Sequence, residues 1–167
     1  VTLPDCDVAY EAANATFSEI VDANGDALAQ NPHGFSAEFK KRYQAMAKYR
    51  GADYEAAQAY RVKFKRGIAE VMQHCDVLAT PTSTVAAAPI EKRPPNHAKE
   101  RRKNACIFDF TGQPSISVPC GFTREGLPVG LMLSGRVLED STVLRFARAF
   151  ERVTPWHTYH PPIPIAQ

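Results

Sequence analysis

With 167 residues, 44% of them apolar and 23% charged, the chain is long enough for one domain to bury about two thirds of the surface its unfolded form exposes. A formal net charge of +2 predicts neither a polyanion partner nor a membrane surface, and no apolar run reaches the roughly 18 residues a membrane span needs. The amino-terminal VTLPDCDVAY has neither the basic start nor the apolar centre of a secretory signal, so a cytoplasmic location is expected. A start at Val1 rather than Met points to a truncated or processed product.

The pattern predicts one α/β domain over 1–167, mainly helical over 1–75, then strands, a final helix and a Pro-rich tail over 76–167. Ala9, Ala13, Phe17 and Ile20 or Val21 recur at helical spacing, with Asp5 or Asp7 as the cap and Asn24-Gly25 as the left-handed stop. After the Asn31-Pro32-His33-Gly34 turn, Ser36 caps a second predicted helix with Phe39, Tyr43, Met46 and Ala47 on one face, and Gly51 ends it. Asp53 opens the third and longest, in which Ala57, Tyr60, Phe64, Ile68, Val71 and Cys75 repeat every three or four residues as a core stripe. Gly67 inside it costs about 1 kcal/mol relative to Ala, a cost that a close contact would justify.

Helical periodicity stops at Asp76, and Val77-Leu78-Ala79 before Thr80-Pro81 reads as a short, fully buried strand. From Ser83 to Lys103 the three prolines Pro89, Pro94 and Pro95 and a basic cluster predict an irregular surface excursion. Ser115–Val118 and Val129–Leu133 are the next strands, an antiparallel pair joined by a wide loop. Asp140 or Ser141 caps a last helix with Val143, Phe146 or Ala147, Phe150 and Val153 inward. The tail from Pro155 to Pro164 carries four prolines and is expected to strap the surface in extended form, with Trp156 as its anchor.

Three blocks, in order, carry a resemblance. Asp53 to Arg61 (DYEAAQAYR) resembles a helical "DYxxAxxxR" segment, and Asp76 to Thr82 (DVLATPT) resembles a "DVLLTPT" strand. Phe108 to Arg136, FDFTGQPSISVPCGFTREGLPVGLMLSGR, is similar to the carboxy-terminal signature of the amidase signature family. The resemblance implies the carboxy-terminal portion of that fold, helices packed on a mixed sheet, in an enzyme that hydrolyses a carboxamide C–N bond without a cofactor.

In that family a lysine, a bridging serine and a nucleophilic serine do the chemistry beside a Gly/Ser-rich loop that binds the oxyanion. Such chemistry needs a nucleophile, a base and oxyanion donors. This sequence holds no GSSGG-like run, no Ser-x-x-Lys and no Gly-x-Ser-x-Gly. The expectation is therefore no catalytic residue in this chain, which would be silent alone and would partner a missing amino-terminal catalytic part that meets a small amide substrate.

The resemblance gives the chain one piece of the substrate pocket, a wall formed by Phe108, Asp109, Thr111 and Gly112 in an expected loop from Ile107 to Pro114. Gly112 would give the turn its freedom and Pro114 would fix the exit. The family usually has Asn where Asp109 stands, and a carboxylate only accepts hydrogen bonds whereas an amide also donates. Glutamine-using members usually carry an acidic residue shortly before this loop. Arg101-Arg102-Lys103 stands there, which argues against glutamine. Met132, where Gln is common, reads as repacking of a buried strand.

Other features are read as structural. The stretch Glu91 to Lys103 carries six Lys/Arg against two Glu but no aromatic residue for base stacking, so a solvated charged loop is expected rather than a nucleic-acid contact. His157 and His160 lie between Pro155 and Pro161, which disfavours a helical metal site, and no metal is expected. Cys6, Cys75, Cys106 and Cys120 lack CxxC spacing and read as reduced thiols, Cys120 included despite its Pro-Cys-Gly corner. A sheet built to continue into absent strands would expose an edge, so self-association through the Val77 to Leu133 sheet is expected. The alternative is a stand-alone, non-enzymatic interaction module.

Overall fold

A computed structural model describes residues 1–160. The chain divides into two compact units, one spanning Val1–Val71 and a second beginning at Met72.

The first unit is helical: α1 (Cys6–Thr16), α2 (Glu19–Gln30), α3 (Ala37–Met46) and α4 (Ala52–Val71). The Asp5 carboxylate accepts the Val8 N–H at 3.1 Å and starts α1, satisfying one of the donors a helix start leaves free. The apolar face of α1, with Ala9, Tyr10 and Ala13, is buried, and α1 packs on α4, whose Ala57, Phe64 and Ile68 are its buried stripe. Gly67 has its reason here: a Cβ on it would lie 2.7 Å from Pro4 Cγ. The contact is with the residue leading into α1 rather than with a helix.

The single helix expected up to Asn24-Gly25 is two. The chain breaks after Thr16, and Asn24 and Gly25 lie inside α2. Gly25 serves close approach instead of a left-handed stop, since its absent side chain admits the Tyr43 hydroxyl, which donates to Val21 O at 3.1 Å. Ser36 caps α3 as expected, its hydroxyl accepting the Phe39 N–H at 3.1 Å. Gly51 does not end that helix, which stops at Met46. It is left-handed at φ 57, and its carbonyl accepts the Glu55 N–H at the start of α4.

The second unit is a three-stranded sheet with two helices: β1 (Leu78–Pro81), α5 (His97–Thr111), β2 (Ser115–Phe122), β3 (Pro128–Ser134) and α6 (Asp140–Val153). The strand order is β1-β3-β2, and both pairs are antiparallel. The α/β class and the β2–β3 pair with its wide loop are as expected, and Thr123 Oγ1 shapes that loop by accepting the Glu125 and Leu127 N–H groups. One sheet face is apolar: Val118 and Leu133 form a core with Val143 and Ala147 of α6, with Phe150 packed against them.

Several expectations fail in this unit. β1 is not fully buried: only Leu78 is, because β3 takes the centre and β1 an edge. The irregular excursion ends at Asn96, and most of the basic cluster lies on α5, since after Pro95 no proline or glycine interrupts the chain until Gly112. Neither Asp140 nor Ser141 caps α6, whose first N–H bonds go to the Glu139 carbonyl. Val153, at 80% exposure, is not inward.

Trp156 anchors the tail as expected, meeting Phe122 edge-on with ring centroids 6.1 Å apart. The tail opens with a 3-10 turn at Trp156–Thr158 rather than in extended form; Pro161, Pro162 and Pro164 lie outside the described residues. Among the described residues no helix is long and apolar enough to cross a membrane.

Candidate functional site

Phe108, Asp109, Thr111 and Gly112 come together at the end of α5, not in a loop. The segment stays helical because Cys106, Ile107, Phe108, Phe110 and Thr111 are buried, and burial outweighs the modest helix propensity of Phe and Thr. Gly112 then stops the helix in the left-handed conformation, φ 78. Its N–H donates to Phe108 O at 2.8 Å, and the Gln113 N–H donates to the same carbonyl at 3.1 Å. A residue with a Cβ would be strained at this position.

The four residues do not share a role. Phe108 is 1% exposed and Thr111 2%, so both side chains are core. The Thr111 hydroxyl lies 3.1 Å from Phe108 O and 3.0 Å from Gln113 Oε1, and Gln113 Nε2 donates to Gly135 O at 2.7 Å. This chain of bonds fastens the helix end to the end of β3. Asp109 and Gly112 are exposed. Partial burial pushes the Asp109 carboxyl above its ordinary value, since removing water penalises the charged form. One turn earlier, burial pushes the Cys106 thiol up to about 11; Arg102 opposes the shift and the Asp109 carboxylate adds to it.

Sequence reasoning missed a row of hydroxyls on the sheet face opposite α6. Register places Thr80 and Ser117 on either side of Met132, and Ser115 beside Ser134. Ser115 Oγ and Ser134 Oγ are 2.8 Å apart, and Thr82 Oγ1 and Ser117 Oγ are 2.5 Å apart. The latter two close over Gly130, where an added Cβ would lie 2.6 Å from Ser117 Oγ and 2.7 Å from Thr82 Oγ1. Thr80 Oγ1 is buried with no hydrogen-bond partner among the described residues. The alternation Ser-x-Ser in β2 was the available clue. Met132 is buried, at 3% exposure, in keeping with its reading as strand packing. Among the described residues no three His, Cys, Asp or Glu side chains converge to hold a metal ion.

The model of the Amidase family matches residues 6–144. This chain belongs to the amidase signature family. It is 39% identical over 135 residues to a glutamyl-tRNA(Gln) amidotransferase subunit from Chloroflexus aggregans, an alignment that covers 77% of this chain and 28% of that relative. The chain therefore spans little more than a quarter of the length of the curated relatives it matches. Among solved structures, a crystal structure of an amidase superposes with TM-score 0.80 at 24% identity over 91% of this chain and 36% of that one, a likeness of fold. The corresponding glutamyl-tRNA(Gln) amidotransferase subunit from Thermotoga maritima superposes with TM-score 0.59 at 28% identity, covering 93% of this chain and 34% of that one.

Proposed function

We propose that this chain is the carboxy-terminal, structural and pocket-forming part of an amidase that hydrolyses a carboxamide C–N bond, its Lys/Ser/Ser machinery lying in an amino-terminal part of the same protein. The observation that carries the reading is the combination of 39% identity over 135 residues with coverage of only 28% of the relative. A piece that similar and that short supports a retained segment of the fold within a longer protein. The absence of a Gly/Ser-rich run in the sequence supports the same reading, because an oxyanion needs preorganised donors.

Within that enzyme the end of α5 serves the pocket wall. Contact with the substrate falls to Asp109 and the exposed main chain at Gly112, while Phe108 and Thr111 hold the helix end in place. The placement of Arg101, Arg102 and Lys103 on the same helix favours an amide without a free amino group over glutamine, because cations repel an ammonium. A reducing, cytoplasmic setting accords with four cysteines that form no disulfide.

The test is a chimera in which this chain replaces the aligned portion of the Chloroflexus aggregans protein. Release of ammonia or amine from a panel of primary and aryl amides supports the proposal. A soluble, folded chimera with no turnover on any amide favours the interaction-module reading.

A further inference from the structure

Gln113 stands where its chemistry is out of place. The Gly112 N–H reaches Phe108 O and Asp109 O, and the Gln113 N–H donates to Phe108 O, the bonding of a left-handed helix stop. Such stops frequently carry an apolar residue at the position Gln113 holds, packed on the residue at the position of Phe108. Here a half-buried glutamine takes that place and sends its amide elsewhere, although fixing so flexible a side chain costs conformational entropy.

The amide has one workable orientation. Gly135 O is an acceptor, so the group that meets it at 2.7 Å is Nε2, and Oε1 is left to accept the Thr111 hydroxyl at 3.0 Å. Gly135 also donates its N–H to Pro114 O at 3.0 Å, so two consecutive residues grip both polar groups of one glycine. That glycine is itself held fast. It is buried, a Cβ on it would lie 2.6 Å from Val143 Cγ2 of α6, and the next residue, Arg136, bonds the carbonyls of Met72 and Cys75. Burial of Phe108 fixes how deeply the end of α5 sits, but apolar burial has no direction. Hydrogen bonds do: those of Gln113 set how the last turn, with Asp109 and the main chain at Gly112, is turned relative to β3.

We propose, resting on the amidase reading above, that Gln113 is the positioning residue of the pocket wall, holding Asp109 and the Gly112 main chain at the substrate through Thr111 and Gly135. It touches no substrate itself. With nucleophile, base and oxyanion donors in the other part of the protein, the wall meets the substrate alike before and during the reaction, and its displacement weakens both states equally. Gln113 therefore governs KM and leaves kcat alone.

The test uses the chimera with the Chloroflexus aggregans protein. Gln113→Leu removes both side-chain bonds while supplying the apolar contact such stops favour, so it is expected to fold with the stability of the parent chimera. Its KM for an amide that the parent chimera hydrolyses is expected to rise about tenfold, with kcat unchanged. Gln113→Glu keeps the shape but sets an acceptor against Gly135 O, and is expected to raise KM at least as much; if Gln113→Leu fails to fold, this variant decides. An unchanged KM in either folded variant overturns the proposal, and so does a fall in kcat at constant KM. A parent chimera that turns over no amide counts against the amidase reading instead, and hydrogen exchange of the same chimera then decides for Gln113. Faster exchange of the N–H groups at positions 112 and 113 in Gln113→Leu supports the positioning role, and unchanged exchange overturns it.

Discussion

Arg136 donates from Nε and Nη2 to the main-chain carbonyl of Met72, at 3.1 and 2.8 Å, across 64 residues of sequence. The same Nη2 reaches Cys75 O at 2.9 Å, and Nη1 lies 3.3 Å from Asp76 Oδ1 and 3.4 Å from Glu139 Oε2. One guanidinium thus satisfies carbonyls left over where α4 ends and joins the approach to β1 to the exit of β3. A lysine ammonium cannot span this set with a planar fork. Arg136→Lys is expected to cost about 1–2 kcal/mol and Arg136→Met about 2–3 kcal/mol, measured by urea unfolding. A lysine variant as stable as the parent would show that the fork geometry is irrelevant.

Gly130 is the second point where shape decides. Gly130→Ala is expected to destabilise the chain by about 1–3 kcal/mol through overpacking, because its Cβ would meet Ser117 Oγ and Thr82 Oγ1. Ser117→Ala should recover a substantial part of that loss when combined with it, an interaction a double-mutant cycle measures directly. Additive effects would mean the hydroxyl pair moves aside freely.

Phe108 and Asp109 are neighbours with opposite sensitivities. Phe108→Ala, which empties a site 1% exposed, is expected to cost about 3–5 kcal/mol. Asp109→Asn is expected to stabilise the chain slightly, by an amount that depends on pH. The Asp109 carboxyl is held above its ordinary value in the fold, so between the unfolded and folded values the native state binds more protons. Stability then falls as pH rises through that window. Thermal melts should show the variant gaining on the parent above the carboxylate range and matching it at acid pH; an equal gain at all pH values would assign the effect to packing instead.

Cys106 is predicted to resist alkylation. It is buried, at 4% exposure, and its thiol is pushed up to about 11, so almost no thiolate exists near pH 8. Iodoacetamide labelling of the native chain, followed by peptide mass spectrometry, should leave Cys106 the slowest of the four to react. Rapid labelling there would indicate that the end of α5 opens.

The helical half was legible in part because its apolar spacing is regular. Ser36, Asp5 and the Ala57–Phe64–Ile68 stripe announce themselves through caps and period. Gly25 misled because a glycine reads the same whether it stops a helix or admits a neighbour; only Tyr43, distant in sequence, distinguishes the two. The end of α5 misled for a related reason. Gly112 and Pro114 marked a turn correctly, but the helix before it is held by burial of Phe108 and Thr111, which local propensity does not contain. Prolines at 94 and 95 masked the start of the same helix. Of the candidate site, the expected loop was not the conformation: Phe108 to Thr111 lie on α5. The Gly130 hydroxyl cluster, formed by β2, β3 and the residue that follows β1, needed the register before it could be seen.

If the working groups lie elsewhere in the protein, as proposed, this chain turns over no amide alone. The direct measurement is release of ammonia or amine from primary, aryl and glutamine amides by the purified 167-residue chain. No release above buffer is expected for any of them. Sustained turnover that copurifies with the chain would contradict the proposed division of labour, and would require a nucleophile among residues whose contacts otherwise serve packing.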